Sequence, residues 1–326
     1  IITNGGLDLF NFEVMGLTGN NFTILLAVVL FLVLLVYRLL TYSQITKEKM
    51  IAVTFFAFLT IFFWAIFEQS PGTLTIFAND YTNRVLEGNS GTIFMIINAA
   101  ITLVPLGIIT WVLILLFRQT FAKYAMANIA LSISFVIIWG IAFWMLNDQF
   151  SGKTLEVPAS WFASLNSLYI ITLAPLFSKW WESKYNPSAN MKYAIGMSFL
   201  AIGMICVAIG ADGIVPGAKT ASVSMIYLVL VYLFVTMAEL CISPVGLSYV
   251  SKLVPARMIG MMFGIWYLAV AIGMKGAAKF GENIDKIADE KGLSYYFWML
   301  AIVSLSVAFL SFIMSPVIKK LMHGVR

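Results

Sequence analysis

The sequence predicts an all-α integral membrane protein. Three observations carry this. Hydrophobic residues make up 61% of the 326-residue chain and charged residues only 11%, against about 45–50% apolar and about 25% charged in a soluble domain. Nine apolar runs approach or exceed the roughly 20 residues that a membrane-spanning helix needs. The basic residues also concentrate in alternate loops between those runs, as the positive-inside rule requires.

In chain order, residues 1–20 are polar and rich in Gly and Asn, which predicts a loop. Apolar helices are then predicted over 21–41, 49–79, 92–117, 122–147, 158–181, 191–210, 220–251, 257–280 and 294–318. With the first helix entering from outside, thirteen of the 20 basic residues fall on inner loops, among them Lys184, Lys252, Arg257, Lys319 and Lys320. Eleven of the 15 acidic residues fall outside and two, Glu48 and Glu182, inside. The N-terminus is therefore expected outside and the C-terminus in the cytoplasm. The formal net charge of +5 is a topology signal and not a nucleic-acid footprint. The first residue is Ile1, with no basic n-region before the first apolar run, so the chain reads as a piece of something longer.

The two remaining acids, Glu68 and Glu239, lie inside apolar helices. A charge at mid-bilayer costs roughly 2.5–3.5 kcal/mol on insertion scales, so such residues face a bundle interior or an aqueous cavity. The plainer alternative is a neutral carboxylic acid hydrogen-bonded between helices. Depth separates the two. Glu68 lies 19 residues after Lys49, or about 28 Å along a helix at about 1.5 Å per residue, near the outer surface. Glu239 lies 13 residues before Lys252, about 20 Å from the inner end and close to the midplane, where transporter substrate sites lie.

Each acid precedes a proline. Pro71, with Gly72, is expected to leave the carbonyl of Phe67 unpaired, and Pro244 that of Leu240. These are ordinary kinks or acceptors offered to a cation or water. Thr236, Glu239 and Ser243 share one helical face. Pro158 suits a first helical turn and Trp161 an interface, while Asn166 and Tyr169 share a face as interhelical or ligand contacts. Lys179, Trp180 and Trp181 close that helix as an interfacial anchor. Gly260, Gly264 and Gly273 predict close helix packing. Trp266 is too deep for an interfacial belt, so it fills the core or lines a cavity. Residues 281–293 read as a solvated connector. Cys206 and Cys241 read as small hydrophobes, and the lone His323 offers no histidine cluster for a metal. No nucleophile–base pair, metal-ligand spacing or phosphate loop points to an enzyme.

Three stretches resemble the proton-coupled oligopeptide transporter family of the major facilitator superfamily. The most specific runs through Glu239, Leu240, Ser243, Pro244, Gly246, Leu247, Ser248, Pro255, Arg257, Gly260, Gly264 and Trp266. The second, Phe63–Ala78, is similar to the aromatic-x-x-x-Glu-Gln run of the family's helix seven. The third, Val157–Ile170, is similar to the opening of helix eight, with Ala163 and Ser167 replacing the usual glutamine and proline.

The resemblance implies a major-facilitator-type six-helix bundle, helices seven to twelve, with about three additional membrane helices. Residues 1–48 would be an outer loop and an accessory helix, 49–87 helix seven, 88–156 an inserted helix pair and 157–326 helices eight to twelve. The family's N-terminal half, with its Glu-x-x-Glu-Arg motif, is not in the sequence. The implied activity is proton-coupled uptake of di- or tripeptides by alternating access, with protons as coupling ion and no other cofactor. Glu239 would receive the peptide amino terminus, with Asn166, Trp266 and Ser243 shaping the pocket. Glu68 would pair with a cation of the missing half and couple to the proton. Pro71 and Pro244 would kink their helices, and Arg257, Gly260 and Gly264 would form the inner-loop motif. The implied partners are the peptide, the lipid bilayer and the N-terminal half, in a bacterial inner membrane. A symporter for another solute such as nitrate, or a non-transporting scaffold, are the competing readings.

Overall fold

The computed structural model describes residues 12–14, 16–18, 42–86, 88–151 and 155–325, with single positions between 22 and 37. The helix expected over 21–41 lies largely outside the described residues. Those described within it (Phe22, Leu25, Leu26, Val29, Leu30, Val33, Val36 and Tyr37) are helical. In the segment expected to be a loop, β1 (Glu13–Val14) pairs antiparallel with β2 (Leu17–Thr18). Gly16 makes that turn at φ 77, a left-handed conformation that favours glycine.

Ten α-helices follow: α1 (Gln44–Phe67), α2 (Thr73–Asp80), α3 (Asn89–Thr120), α4 (Ala125–Ser151), α5 (Trp161–Glu182), α6 (Ala189–Gly210), α7 (Ile226–Leu253), α8 (Ile259–Glu282), α9 (Ile284–Lys291) and α10 (Leu293–Leu321). Eight of them, all but α2 and α9, are long and apolar enough to cross a membrane. The fold is an all-α membrane fold.

The core is a bundle of α1, α6, α7, α8 and α10, with α5 against α7. The most extensive interfaces are α6 with α10, α6 with α7, and α1 with α8. Small residues set the spacing where helices approach most closely. A methyl group at Gly273 of α8 would stand 2.6 Å from the Ile61 carbonyl oxygen of α1. At Gly196 of α6 it would stand 2.7 Å from Ile242 of α7. Such contacts let backbones meet without a side chain between them. The expected packing role does not extend to Gly260, where an added methyl would meet only open space. Both Gly260 and Gly264 lie on an exposed face of α8.

The single helix expected over 49–79 is broken. α1 ends at Phe67, residues 68–72 form turns, and α2 restarts at Thr73. The proline and glycine at 71 and 72 do more than kink the helix, because the i→i−4 ladder stops at the Glu68 N–H, which reaches the Trp64 carbonyl, and restarts with Ile76 N–H on the Gly72 carbonyl. The Phe67 carbonyl is not left unpaired: the Ser70 N–H donates to it at 3.1 Å. Pro244, in contrast, is carried within a continuous α7. The predicted helix over 220–251 starts later, at Ile226, because Val223–Ser224 forms a strand (β6) paired in parallel with Thr82–Asn83 (β3). The connector at 281–293 holds α9, whose Ile284 and Ala288 are buried while its charges face outward.

α3 and α4 stand apart from the bundle. α3 buries only Gly91 and Phe94, and α4 only Asn128, Ala142 and Leu146. Their surfaces are apolar and exposed on almost every side, as lipid contact demands. The chain enters α3 and leaves α4 at one point. β4 (Val85–Leu86) pairs antiparallel with β5 (Leu155–Glu156). Arg84 fastens this base, donating to the Val157 carbonyl at 2.7 Å and pairing with Glu156 at 2.7 Å.

Candidate functional site

Glu239 sits half-buried midway along α7. One turn before it, Thr236 is fully buried and donates its hydroxyl to the Tyr232 carbonyl at 2.7 Å. That back-bond fixes the Thr236 rotamer and turns its lone pairs toward α5. Asn166 of α5 answers both residues. Its Nδ2 donates to Thr236 Oγ1 at 3.1 Å and to Glu239 Oε2 at 3.1 Å. Three polar side chains from two apolar helices thus form one hydrogen-bonded cluster. The Asn166 amide spends both N–H bonds here. The Glu239 carboxylate keeps its other oxygen open, and no cation of the described residues lies within ion-pair distance of it.

Ser243 stands one turn further along α7, half-buried, with no hydrogen-bond partner for its hydroxyl among the described residues. Tyr169, one turn after Asn166, instead donates to the Val229 carbonyl at 3.3 Å and staples α5 to the first turn of α7. Trp266 is 6% exposed and packs flat against Gly246 of α7. Of the two positions open to it, it takes the core and joins α7 to α8.

Glu68 occupies the break between α1 and α2. It is half-buried, and its carboxylate makes no hydrogen bond or ion pair among the described residues. The break is held by its neighbours. Gln69, 1% exposed, donates to the carbonyls of Ala65 (2.9 Å) and of Ala277 on α8 (3.2 Å). Its Oε1 accepts from Thr73 (2.5 Å) and from Tyr296 on α10 (2.8 Å). Tyr232 of α7 donates to the Ser70 carbonyl at 3.1 Å. Three helices, α7, α8 and α10, therefore clasp the turn between α1 and α2 that presents Glu68.

Gln69 is the residue that sequence reasoning passed over. The signal was present: a lone amide inside an apolar run, next to Pro-Gly, must find all its partners locally. Trp161, expected at an interface, has a specific partner that its sequence position did not show: it donates to Asn98 Oδ1 of α3 at 3.0 Å, while Asn98 donates to Gln149 of α4 at 2.6 Å. The indole also meets Phe94 edge-on. It docks α3 and α4 on α5.

Comparisons with known proteins bear on this arrangement. The model of the POT family matches residues 116–299, more than half of the chain. The uncharacterized transporter YclF of Bacillus subtilis is 32% identical over 208 residues, 58% of this chain and 40% of the relative. The peptide transporter YePEPT of Yersinia enterocolitica is 28% identical over 227 residues, 68% of this chain and 31% of the relative. Among solved structures, a peptide transporter POT mutant in complex with alafosfalin superposes with TM-score 0.62 at 22% identity, over 97% of this chain and 50% of that one. A POT family transporter in complex with 5-aminolevulinic acid gives TM-score 0.62 at 20% identity, over 93% and 49%. At these identities the structures speak for the fold. The chain spans about half the length, or less, of the relatives it matches.

Proposed function

This chain belongs to the POT family, and on that premise we propose that it is the C-terminal bundle of a proton-coupled di- or tripeptide symporter. Helix seven is then α1 with α2, and helices eight to twelve are α5, α6, α7, α8 and α10. The partial helix within 21–41 is accessory, and α3 with α4 is an inserted pair. The observation that carries the reading is the Glu239 carboxylate, held by Asn166 at mid-helix with an oxygen and a charge left over. A buried carboxylate without a cation is costly. A peptide ammonium group supplies the missing charge, with an attraction stronger than in water because the surroundings are apolar.

Glu68 is the second half of the proposal. Clasped at the broken end of α1 and lacking a partner, it is placed to meet a cation of an N-terminal half when the transporter closes outside. Protonation releases that pair, which couples proton entry to the conformational change. The exposed face of α8, with Arg257, Gly260 and Gly264, would turn toward the same half. Pro71 and Pro244 mark the segments that bend. The C-terminus would lie in the cytoplasm of a bacterial inner-membrane protein, since Lys184, Lys192, Lys252, Lys319 and Lys320 gather at that side. Alternating access between two halves follows from the family's architecture. Protons are the coupling ion, with no cofactor.

The test is uptake of a labelled dipeptide by the full-length transporter in proteoliposomes, with and without an inward proton gradient. Gradient-driven uptake in the wild type, lost in Glu239→Gln, supports the reading. Robust uptake of another solute that dipeptides do not compete for would replace it.

A further inference from the structure

At the end of the bundle where α5 stops and α6 begins, the chain turns through Ser183, Lys184, Asn186 and Pro187. This turn, the first residues of α6 and the last turns of α10 enclose a cleft of about 540 Å³. Lys184 and Lys319 line it, with no Asp or Glu among its described lining residues, and the Lys184 ammonium rests 5.0 Å from the centre of the neighbouring Tyr185 ring, within a side-chain rotation of the cleft. Neither lysine has an ion-pair partner among the described residues. The one acid on α1 that reaches this end, Glu48, is occupied by His323 at 2.6 Å.

The cleft offers neutral donors as well. Ala189 and Asn190 line it and open α6, where backbone N–H groups precede any intrahelical acceptor. The N-cap Ser188 accepts from Met191 N, so its side chain serves the third residue of the helix and leaves the first two. A 22-residue helix directs the positive end of its dipole into the cleft. An independent observation points the same way. Tyr249 of α7 is 8% exposed and lines the cleft, yet its hydroxyl has no hydrogen-bond partner among the described residues. Ser315 of α10 lines it with its hydroxyl likewise unpartnered. Both hydroxyl oxygens are open to the cleft and held by no protein partner among the described residues, so they are free to bond a ligand there.

We propose that this cleft is an anion site that takes a phosphate group. Backbone N–H groups at a helix start, hydroxyls and two ammonium groups are the donors that phosphate oxygens collect. The phosphate belongs to a phospholipid headgroup at the bilayer surface or to a soluble phosphate compound, since the chemistry of the site serves both. Helix-dipole compensation accounts for lysines at the end of α10, but it accounts equally for Lys319 and Lys320, and only Lys319 lines the cleft. The site is independent of which solute the transporter carries.

The experiment uses the full-length transporter and two charge-matched variants. One is Lys184→Gln with Lys319→Gln. The other is Lys320→Gln with Lys123→Gln, which removes two exposed lysines outside the cleft. Inorganic phosphate is titrated against chloride at constant ionic strength, with thermal unfolding as the readout. Retained lipid is measured by native mass spectrometry after passage through vesicles of phosphatidylcholine with or without phosphatidylglycerol. The expected result is a saturable effect of one of the two probes on wild type, weakened at least tenfold in the cleft variant and kept in the control. An effect confined to phosphatidylglycerol identifies the headgroup, and one confined to inorganic phosphate identifies a soluble ligand. Tyr249→Phe should weaken the same probe without a change of charge. The proposal fails if neither probe acts on wild type, or if both variants weaken equally, since surface charge alone then explains the binding.

Discussion

Gly246 of α7 and Trp266 of α8 occupy a single piece of space: a methyl group placed on Gly246 would stand 1.9 Å from Cζ2 of the indole. The glycine is the socket and the tryptophan the plug, and together they set the approach of α7 to α8. Gly246→Ala should therefore destabilise by about 1–3 kcal/mol, the usual cost of overpacking. In detergent this is a drop of several degrees in the unfolding midpoint. Gly246→Ala combined with Trp266→Phe should recover most of the loss, because the smaller ring vacates the clash. Equal midpoints for wild type and Gly246→Ala would show that the two helices can shift apart freely.

Gln69 is the most connected side chain at the helix break, with four bonds to α1, α2, α8 and α10. Gln69→Leu keeps volume but leaves the hydroxyls of Thr73 and Tyr296 to compete for a lost acceptor. Each buried group so orphaned costs about 1–3 kcal/mol. The variant should unfold at clearly lower temperature than wild type. It should also lose transport, since the turn presenting Glu68 is no longer fixed. A Gln69→Leu protein as stable as wild type would mean that the turn is held by Tyr232 alone.

The sequence carried the class of fold and most spans, because length and apolarity are counted directly along the chain. The helical patterns carried Asn166 and Glu239 as two separate polar positions, and only the family resemblance put them in one pocket. Their pairing needs the rotation of α5 against α7, which no single-helix pattern specifies. The break at 68–72 was visible as Pro-Gly, but its extent was not, since the ladder stops there only because Gln69 and Tyr232 supply substitutes from other helices. Gly260 and Gly264 read as packing residues on spacing alone. Gly273 read the same way, and of the three it alone meets α1 closely, because the choice depends on which face of α8 meets α1. The anchoring role of Trp161 was hidden for a similar reason: its partner Asn98 lies 63 positions away, on α3.

Trp161 offers a clean test of how α3 and α4 are attached. Trp161→Phe retains ring contact with Phe94 but deletes the N–H that reaches Asn98. Global stability should fall by only about 0.5–1.5 kcal/mol, the net worth of one hydrogen bond. Local opening should be larger, because α3 and α4 bury so little else. Hydrogen exchange at residues 89–98 and 149–160 should quicken while exchange in α6 and α10 stays unchanged. Uniform protection in the variant would place the attachment in the Arg84–Glu156 base instead.

Glu239 and Asn166 separate structure from transport. Glu239→Gln keeps a carbonyl oxygen that can accept from Asn166 Nδ2, so the cluster and the fold should survive with a midpoint close to wild type. Dipeptide uptake should fall at least tenfold, because a neutral amide cannot balance an ammonium group. Asn166→Ala removes both bonds and leaves the charge of Glu239 in place. Its expected signature is a higher KM with a smaller loss of maximal rate, since the carboxylate is present but no longer oriented. If the two variants lost the same parameter to the same extent, the pair would be acting as an interhelical staple and the ammonium site would lie elsewhere.

Glu68 should differ from Glu239 in which variable its loss affects. It has no partner among the described residues, and its turn is clasped by three helices, so Glu68→Gln removes a titrating group without unpicking the fold. Exchange of labelled dipeptide across the membrane without a gradient needs binding and reorientation but no net proton movement. Gradient-driven accumulation needs all three. Glu68→Gln should retain counterflow exchange while accumulation falls toward equilibrium, and the uptake rate should lose its dependence on external pH. A variant that still accumulates peptide with the wild-type pH profile would remove Glu68 from proton coupling and leave it as a gate residue only. A variant that loses exchange as well would mean that the carboxylate is needed for closure itself, whichever proton drives it.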